Sequence, residues 1–316
     1  MALSLEQYID YLDSRGTTWP APPDIERPKA APHLYRLPDI RAVTWNVYGT
    51  LLAIAGGSLL FEHPKKFMMD LALEKTIEEF KMWQSMSRTP GQPAEWLGPI
   101  YSMQLHQMKT VPGGGERYPD VAVDAIWEAL IKKLLKNEYE FDTGFYGSLN
   151  EFSRKVAYFF QASLQGVGCY AGAAAALRFV AGRGLAQGLV GEGQCFTFDQ
   201  LKRCLNQQDS EANLPAWIDP KLCALSYSVR ARPPSERPFR QVLGVLLERG
   251  IRPDQVLHVG SRVAADVIPA RRLRMRTALF AGDKASLEAT PEQFERSQSR
   301  PDVMLTELSQ IAEVIC

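Results

Sequence analysis

The sequence predicts an α/β protein built on a doubly wound parallel sheet, with a mainly helical segment inserted after the first strand. Three observations carry this. A β-branched and aromatic run, Ala42-Val43-Thr44-Trp45-Asn46-Val47, ends in the turn Tyr48-Gly49-Thr50 and reads as a buried strand. From Ala171 onward, short apolar runs alternate with helical segments, and such alternation implies right-handed crossovers and parallel pairing. Between these two regions the apolar spacing is helical.

Taken in order, residues 5 to 13 (LEQYIDYLD) have the spacing of a short amphipathic helix. Trp19 to Pro38 carries six prolines, each of which fixes φ and removes an amide donor, so residues 1–40 are expected to form a helix followed by an extended arm. Trp19, Leu34 and Tyr35 give that arm something to bury, and a loose tail is the alternative. The core is expected from residues 41–60 and 168–316, and the helical insert from 61–167. Within the insert, Asp120 to Asn137 places Val123, Ile126, Trp127, Leu130, Leu134 and Leu135 on one face. Ser148 and Glu151 form a capping box that opens a second helix through Leu164. Residues 110–118 (TVPGGGERY) read as a mobile loop rather than a phosphate cradle, because no strand precedes them and no lysine follows in P-loop spacing.

An alanine-rich helix from Ala171 to Val180 then leads to the strand Leu185–Val190. The cycle recurs as strand Leu222–Ser226, helix Ser235–Arg249, strand Val256–Gly260, helix Val263–Leu273 and strand Arg276–Phe280. Val303–Leu305 and a helix over Glu307–Val314 complete it.

Composition excludes several classes. The 316 residues carry 36 basic and 36 acidic side chains, so no global charge draws the chain to nucleic acid or an anionic membrane. At 46% hydrophobic and 23% charged residues it is neither disordered nor fibrous. The uncharged stretch Val156–Leu177 is long enough to span a bilayer, but Gln161, Ser163, Gln165, Gly166, Gly168 and Gly172 make it too polar and too broken. Glu6 and Asp10 interrupt the apolar run a secretory signal requires, which points to the cytoplasm. Cys169, Cys195, Cys204, Cys223 and Cys316 form no CxxC pair and are expected as reduced thiols. His33, His63, His106 and His258 lack zinc-site spacing and read as packing or surface residues.

In a doubly wound sheet the ligand crevice lies at the carboxyl ends of the strands, so the residues that follow each strand matter most. Trp45-Asn46-Val47-Tyr48-Gly49-Thr50-Leu51-Leu52 resembles the first motif of the haloacid dehalogenase-like (HAD) superfamily, Asp-x-x-Gly-Thr-Leu after a buried strand, with its first residue replaced. The resemblance extends through Tyr170-Ala171-Gly172-Ala173, through Leu225-Ser226-Tyr227 and Arg232-Pro233-Pro234-Ser235 to Phe239, and through Val256-Leu257-His258-Val259-Gly260-Ser261 to Asp266 and Ala270. It implies a Rossmann-like core and places the insert where the family has a helical C1 cap.

The resemblance also implies a degenerate site. Asn46 stands where the family has its aspartate nucleophile, and a neutral carboxamide is a poor nucleophile that cannot form the aspartyl intermediate. Tyr48 replaces the second aspartate of the phosphatases, as it does in the dehalogenase branch. Gly49 and Thr50 keep the loop and a hydroxyl that can hold an oxyanion. Gly191 replaces the second motif's hydroxyl residue; its amide can donate, but a turn that needs positive φ is the plainer reading. Pro233 aligns with the third motif's lysine, and the adjacent Arg232 reads as a surface or rim residue. Ser261 replaces a magnesium-binding carboxylate, which leaves Asp266, equally suited to capping the helix after Gly260. No cofactor is therefore expected beyond weak magnesium binding at a partly retained site.

Three functions follow. A member of this fold without catalysis would bind a small anionic ligand or a protein partner in the crevice between core and cap. An active phosphatase or 2-haloacid dehalogenase would need a rearranged mechanism through Tyr48, His106 or Lys109. A structural or assembly role would use the arm and the insert's Trp83, Trp96, Trp127, Phe159 and Phe160. The sequence does not specify the oligomeric state.

Overall fold

The computed structural model describes residues 1–86, 91–110 and 116–315. The chain divides into two compact units. One comprises residues 22–59, 116–120 and 167–315 and holds every strand; the other comprises residues 1–21, 60–86, 91–110 and 121–166 and is helical.

The α/β unit is a six-stranded parallel sheet in the order β5-β4-β1-β6-β7-β8. Its strands are β1 (Ala42–Trp45), β4 (Ala186–Gly191), β5 (Ala224–Leu225), β6 (Val256–Gly260), β7 (Arg276–Phe280) and β8 (Val303–Leu305). The first strand lies at the centre because β4 and β6 both pair with it, Trp45 aligning with Leu189 on one side and Val259 on the other. Alternation sorts its side chains: Val43 and Trp45 join Leu189, Leu257 and Val259 in one cluster, while Ala42 joins Val190, Phe239 and Val256 in another. Both faces are covered, which is why these strands read as continuous apolar runs. Thr44 and His258 are buried polar exceptions that bond to each other, Thr44 Oγ1 lying 2.9 Å from His258 Nδ1.

Two further strands, β2 (Leu52–Ile54) and β3 (Val167–Cys169), form an antiparallel ribbon through which the chain leaves and re-enters this unit. Both are three residues long, too short for a periodicity to mark them in the sequence. The segment Leu222–Ser226 is extended at Ala224–Leu225 and no further. Ser226 turns the chain into a single helical turn, its hydroxyl accepting from Gly193 N at 3.1 Å and donating to Gly193 O at 3.2 Å. The continuous helix expected over Val263–Leu273 is instead a π turn at Val263–Val267 followed by a short α-helix at Ile268–Arg272. Pro269 has no N–H for the ladder, so a regular helix cannot run through it. The expected Glu307–Val314 helix is a 3₁₀ turn, Leu308–Gln310, and one α turn, Ile311–Val314.

The helical unit contains α1 (Leu5–Ser14), α2 (Lys66–Glu79), α3 (Pro93–Thr110), α4 (Val123–Leu135), the single turn α5 (Thr143–Tyr146) and α6 (Leu149–Leu164). α6 is central and buried along nearly its whole length, packing on α2 and α4. Phe160 meets Tyr101 and Trp127 at ring-centroid distances of 5.0 and 5.2 Å. The expected single N-terminal arm is divided between the units. Tyr8 is buried against Phe80 and Tyr146, and Trp19 packs on Tyr158 and Phe159, whereas His33 forms an antiparallel bridge to Met304 on the edge strand β8. That bridge covers part of an otherwise unpaired sheet edge. Of the loop expected at residues 110–118, residues 111–115 lie outside the described residues, Thr110 ends α3, and Tyr118 O accepts from Arg232 N at 2.8 Å.

The helix opened by the capping box starts at Leu149, with Ser148 N donating to Glu151 Oε2 at 2.8 Å and Glu151 N donating to Ser148 Oγ. Ser148→Ala is expected to cost about 1 kcal/mol, read as a lower urea midpoint with an unchanged denaturant slope.

Candidate functional site

The site grows from the end of β1. Asn46 N continues the ladder by donating to Val259 O at 2.9 Å, so its side chain emerges at the carboxyl edge between β4 and β6. The chain then turns sharply: Leu51 N donates to Val47 O at 2.9 Å and Gly49 N to Leu52 O at 2.7 Å. Gly49 takes φ of 83°, and a Cβ on it would stand 2.7 Å from Ser261 Oγ. Glycine thus answers both the left-handed backbone and the close approach of Ser261 in the loop after β6. Gly191 does the same on the other side, with φ of 132° and 2.9 Å between a built Cβ and Asn46 Oδ1.

At the centre, Asn46 Nδ2 donates to Asp266 Oδ1 at 2.9 Å, and Arg262 N donates to Asp266 Oδ2 at 2.9 Å. Both residues are fully buried. Burial alone would raise the Asp266 carboxyl pKa; the His258 imidazole and the Arg262 guanidinium and amide outweigh it and hold the group below the usual carboxylate range. His258 Nε2 stands 3.7 Å from Asp266 Oδ1, too far for a hydrogen bond, so its influence is that of a nearby charge or dipole.

Tyr48 is fully buried and turned toward the helix Thr197–Gln208, its hydroxyl lying 3.1 Å from Thr197 Oγ1 and donating to Gln200 Oε1 at 2.7 Å. Burial raises the phenol pKa and keeps it protonated. Thr50 Oγ1, Ser261 Oγ and Asn46 Oδ1 are buried without a protein hydrogen-bond partner among the described residues. Arg232 is exposed, and its backbone amide bonds to Tyr118 O; no hydrogen bond or ion pair joins its side chain to Asn46, Ser261 or Asp266 among the described residues. Pro233, partly buried, offers no side-chain donor at the third-motif position. His106 and Lys109 are exposed on α3 of the helical unit, and Lys109 Nζ lies 5.8 Å from the Phe61 ring centroid.

Several residues that the sequence did not single out complete the site. Arg262 is buried, its guanidinium donating to Glu192 Oε2 and to Gly57 O, each at 3.1 Å, with Glu288 Oε1 3.4 Å from Nε. Burial pushes against its charge, and Glu192, Asp266 and Glu288 outweigh that and raise its pKa. Residues 283–289 form a strap over the turn that follows β1. Ser286 packs on Gly49 and the Ala285 carbonyl on Gly57; Glu288 N donates to Ser261 O at 3.2 Å, and Val263 N to Glu288 O at 2.8 Å. Tyr170 fixes the strap's start, donating to Asp283 Oδ2 at 2.9 Å beside Ser286 Oγ at 3.0 Å. Asn46, Tyr48, Thr50, Ser261 and Asp266 are each at most 1% exposed. Position in the sequence gave no sign that Arg262 would fold inward, since a lone arginine after a strand reads as a surface residue.

The residues present do not suit magnesium. Octahedral Mg²⁺ needs several hard oxygen ligands and favours more than one carboxylate. Here both oxygens of Asp266 accept N–H groups, Asn46 and Ser261 are neutral, and a buried guanidinium adds positive charge. Among the described residues no three His, Cys, Asp or Glu side chains are grouped to hold a metal ion, and no helix is long and apolar enough to cross a membrane.

The parallel sheet, its order and the helices around it define the fold of the HAD-like hydrolases. Among solved structures, a 2-haloacid dehalogenase from Pseudomonas syringae pv. Tomato DC3000 is similar over 87% of this chain and 97% of its own, with a TM-score of 0.51 and 17% identity. A HAD phosphatase from Thermococcus onnurineus matches over 87% of this chain and 97% of its own, with a TM-score of 0.46 and 14% identity. No family model and no curated protein matches the sequence.

The Asp266 pKa is lower folded than unfolded, so its stabilising contribution is present above the unfolded value of about 3.9 and is lost as pH falls through the folded value. Asp266→Asn is expected to lower stability at neutral pH and to flatten the acid limb, measured by urea unfolding at several pH values down to about 3. Equal acid slopes in the two proteins would contradict this assignment.

Proposed function

We propose that this chain is a HAD-fold protein that acts by binding a small anionic ligand or a protein partner rather than by turnover, its helical unit serving as a C1-type cap. The observation that carries the reading is the hydrogen bond from the Asn46 amide to Asp266, two side chains that are both fully buried. A nucleophilic carboxylate at position 46 would have to be free to attack and would need a cation to separate it from Asp266. The amide instead bonds to Asp266 directly, and its remaining oxygen faces Gly191. Tyr48, the nearest replacement for an acid, is hydrogen-bonded elsewhere and held protonated. The strap and the Arg262 ion pairs support the same reading, because residues that would face a substrate are turned toward each other.

Neither p-nitrophenyl phosphate nor 2-chloropropionate is expected to be turned over, with or without millimolar magnesium, and magnesium should leave Tm unchanged. Turnover that vanishes in Asn46→Ala would reject the proposal in favour of an active hydrolase.

Asn46→Asp sets a second carboxylate against Asp266. Like charges about 4 Å apart at an effective dielectric of about 20 repel by about 4 kcal/mol. The variant is therefore expected to be destabilised by a few kcal/mol at neutral pH or to take up a proton. A shared proton raises the folded pKa of the pair, so stability is present in acid and lost as pH rises through that value. Adding Ser261→Asp should introduce a magnesium-dependent rise in Tm that wild type lacks, read by thermal unfolding with and without the ion.

A further inference from the structure

The helical unit holds a cavity of about 440 Å³ whose lining includes five aromatic side chains, Tyr11, Phe80, Phe141, Phe145 and Tyr146. That size falls within the range of about 300–1,000 Å³ usual for small-ligand sites. Neighbouring rings stand nearly at right angles, as adjacent walls of a box do. Tyr11 and Phe145 have centroids 5.2 Å apart at an interplanar angle of 72°, and Phe145 and Tyr146 lie 4.8 Å apart at 83°. The inner rings are held firmly: Phe80 is buried against Phe152 and Phe159, and Phe141 stacks on Phe152 with centroids 4.2 Å apart.

Charge in the lining has a sign. Glu140 and Asp142 contribute two carboxylates and Lys81 one ammonium, all three exposed, which leaves one net negative charge. Glu140 makes no hydrogen bond or ion pair among the described residues, whereas Asp142 Oδ1 accepts from Phe145 N at 3.1 Å. The Arg15 guanidinium, 4.8 Å from the Tyr11 ring centroid, is paired with Glu79 at 2.8 Å and adds no uncompensated positive charge. An aromatic face attracts a cation through its quadrupole. A primary ammonium must keep its N–H donors bonded to water, but a quaternary ammonium has none to satisfy, so aromatic walls can enclose it at lower cost. An anion would meet the carboxylates and the negative ring faces together.

We propose that this cavity binds the quaternary ammonium group of an organic cation, with the rings enclosing the methylated nitrogen and Glu140 supplying the counter-charge. None of the lining residues belongs to the α/β unit.

The full chain is titrated with choline at low ionic strength, and binding is followed through the N-methyl proton resonance. Saturable binding with an upfield shift is expected, because ring currents act on protons held over aromatic faces. Dimethylbutanol, the uncharged carbon isostere of choline, should bind about threefold or more weakly. Tyr11→Phe keeps the ring and should keep the affinity, whereas Tyr11→Leu should lose about threefold. Glu140→Gln should lose about threefold as well, by an amount that shrinks as salt is added. A trimethyl-lysine peptide titrated alongside separates a free cation from a modified chain as the source of the group, and tighter binding of either upholds the site. Equal binding of choline and its isostere, no saturable choline binding into the tens of millimolar, or an unchanged affinity in Tyr11→Leu overturns the proposal. The comparison of choline with its isostere is read on wild type, so it does not depend on how a variant folds.

Discussion

A fully buried carboxylate must be met by positive charge or by N–H donors, and in this chain that requirement falls on Asp266. Asn46 Nδ2 and Arg262 N satisfy one oxygen each, and the rest of the carboxyl edge is arranged around those two bonds. Two carboxylates at this point would repel each other unless a cation or a shared proton stood between them. Here an amide spans the gap and leaves no second negative charge to neutralise. A carboxamide at position 46 therefore leaves Asp266 as the single carboxylate among these groups, with an N–H donor on each of its oxygens.

The surrounding residues follow from that neutrality. Arg262 is buried although arginine is rarely found so deep, and it is kept charged by Glu192 and Glu288 with a backbone carbonyl as a further acceptor. Its ion pairs and the backbone bonds of Ser261 and Val263 to Glu288 fasten the strap over Gly49 and Gly57. A carboxylate at position 261 would stand against that strap and beside Asp266. Serine fits there because it is small and neutral.

Much of the α/β architecture was legible. Val256–Gly260, Arg276–Phe280 and Val303–Leu305 are strands over the residues their apolar runs mark, because both faces of this sheet are covered and burial shows directly in composition. The capping box at Ser148 located the start of α6 because that signal is local. Signals that depend on distant partners were not legible. β5 is cut short by the bonds of Ser226 to Gly193, and the ribbon of β2 and β3 exists because two segments more than a hundred residues apart pair. The arm is divided because Trp19 finds aromatic rings in the helical unit while His33 finds an open strand edge.

The candidate site divides along the same line. The amino-acid sequence by itself determined the charges: an amide at 46, a serine at 261 and a lone aspartate at 266, since residue identity needs no coordinates. Tertiary structure alone decided how those groups are satisfied, placing the Asn46 amide on Asp266, sending Tyr48 to Gln200, and bringing Arg262 and the strap inward. The physical reason is that charge belongs to a residue, whereas desolvation and hydrogen bonding belong to the neighbours that folding assembles around it.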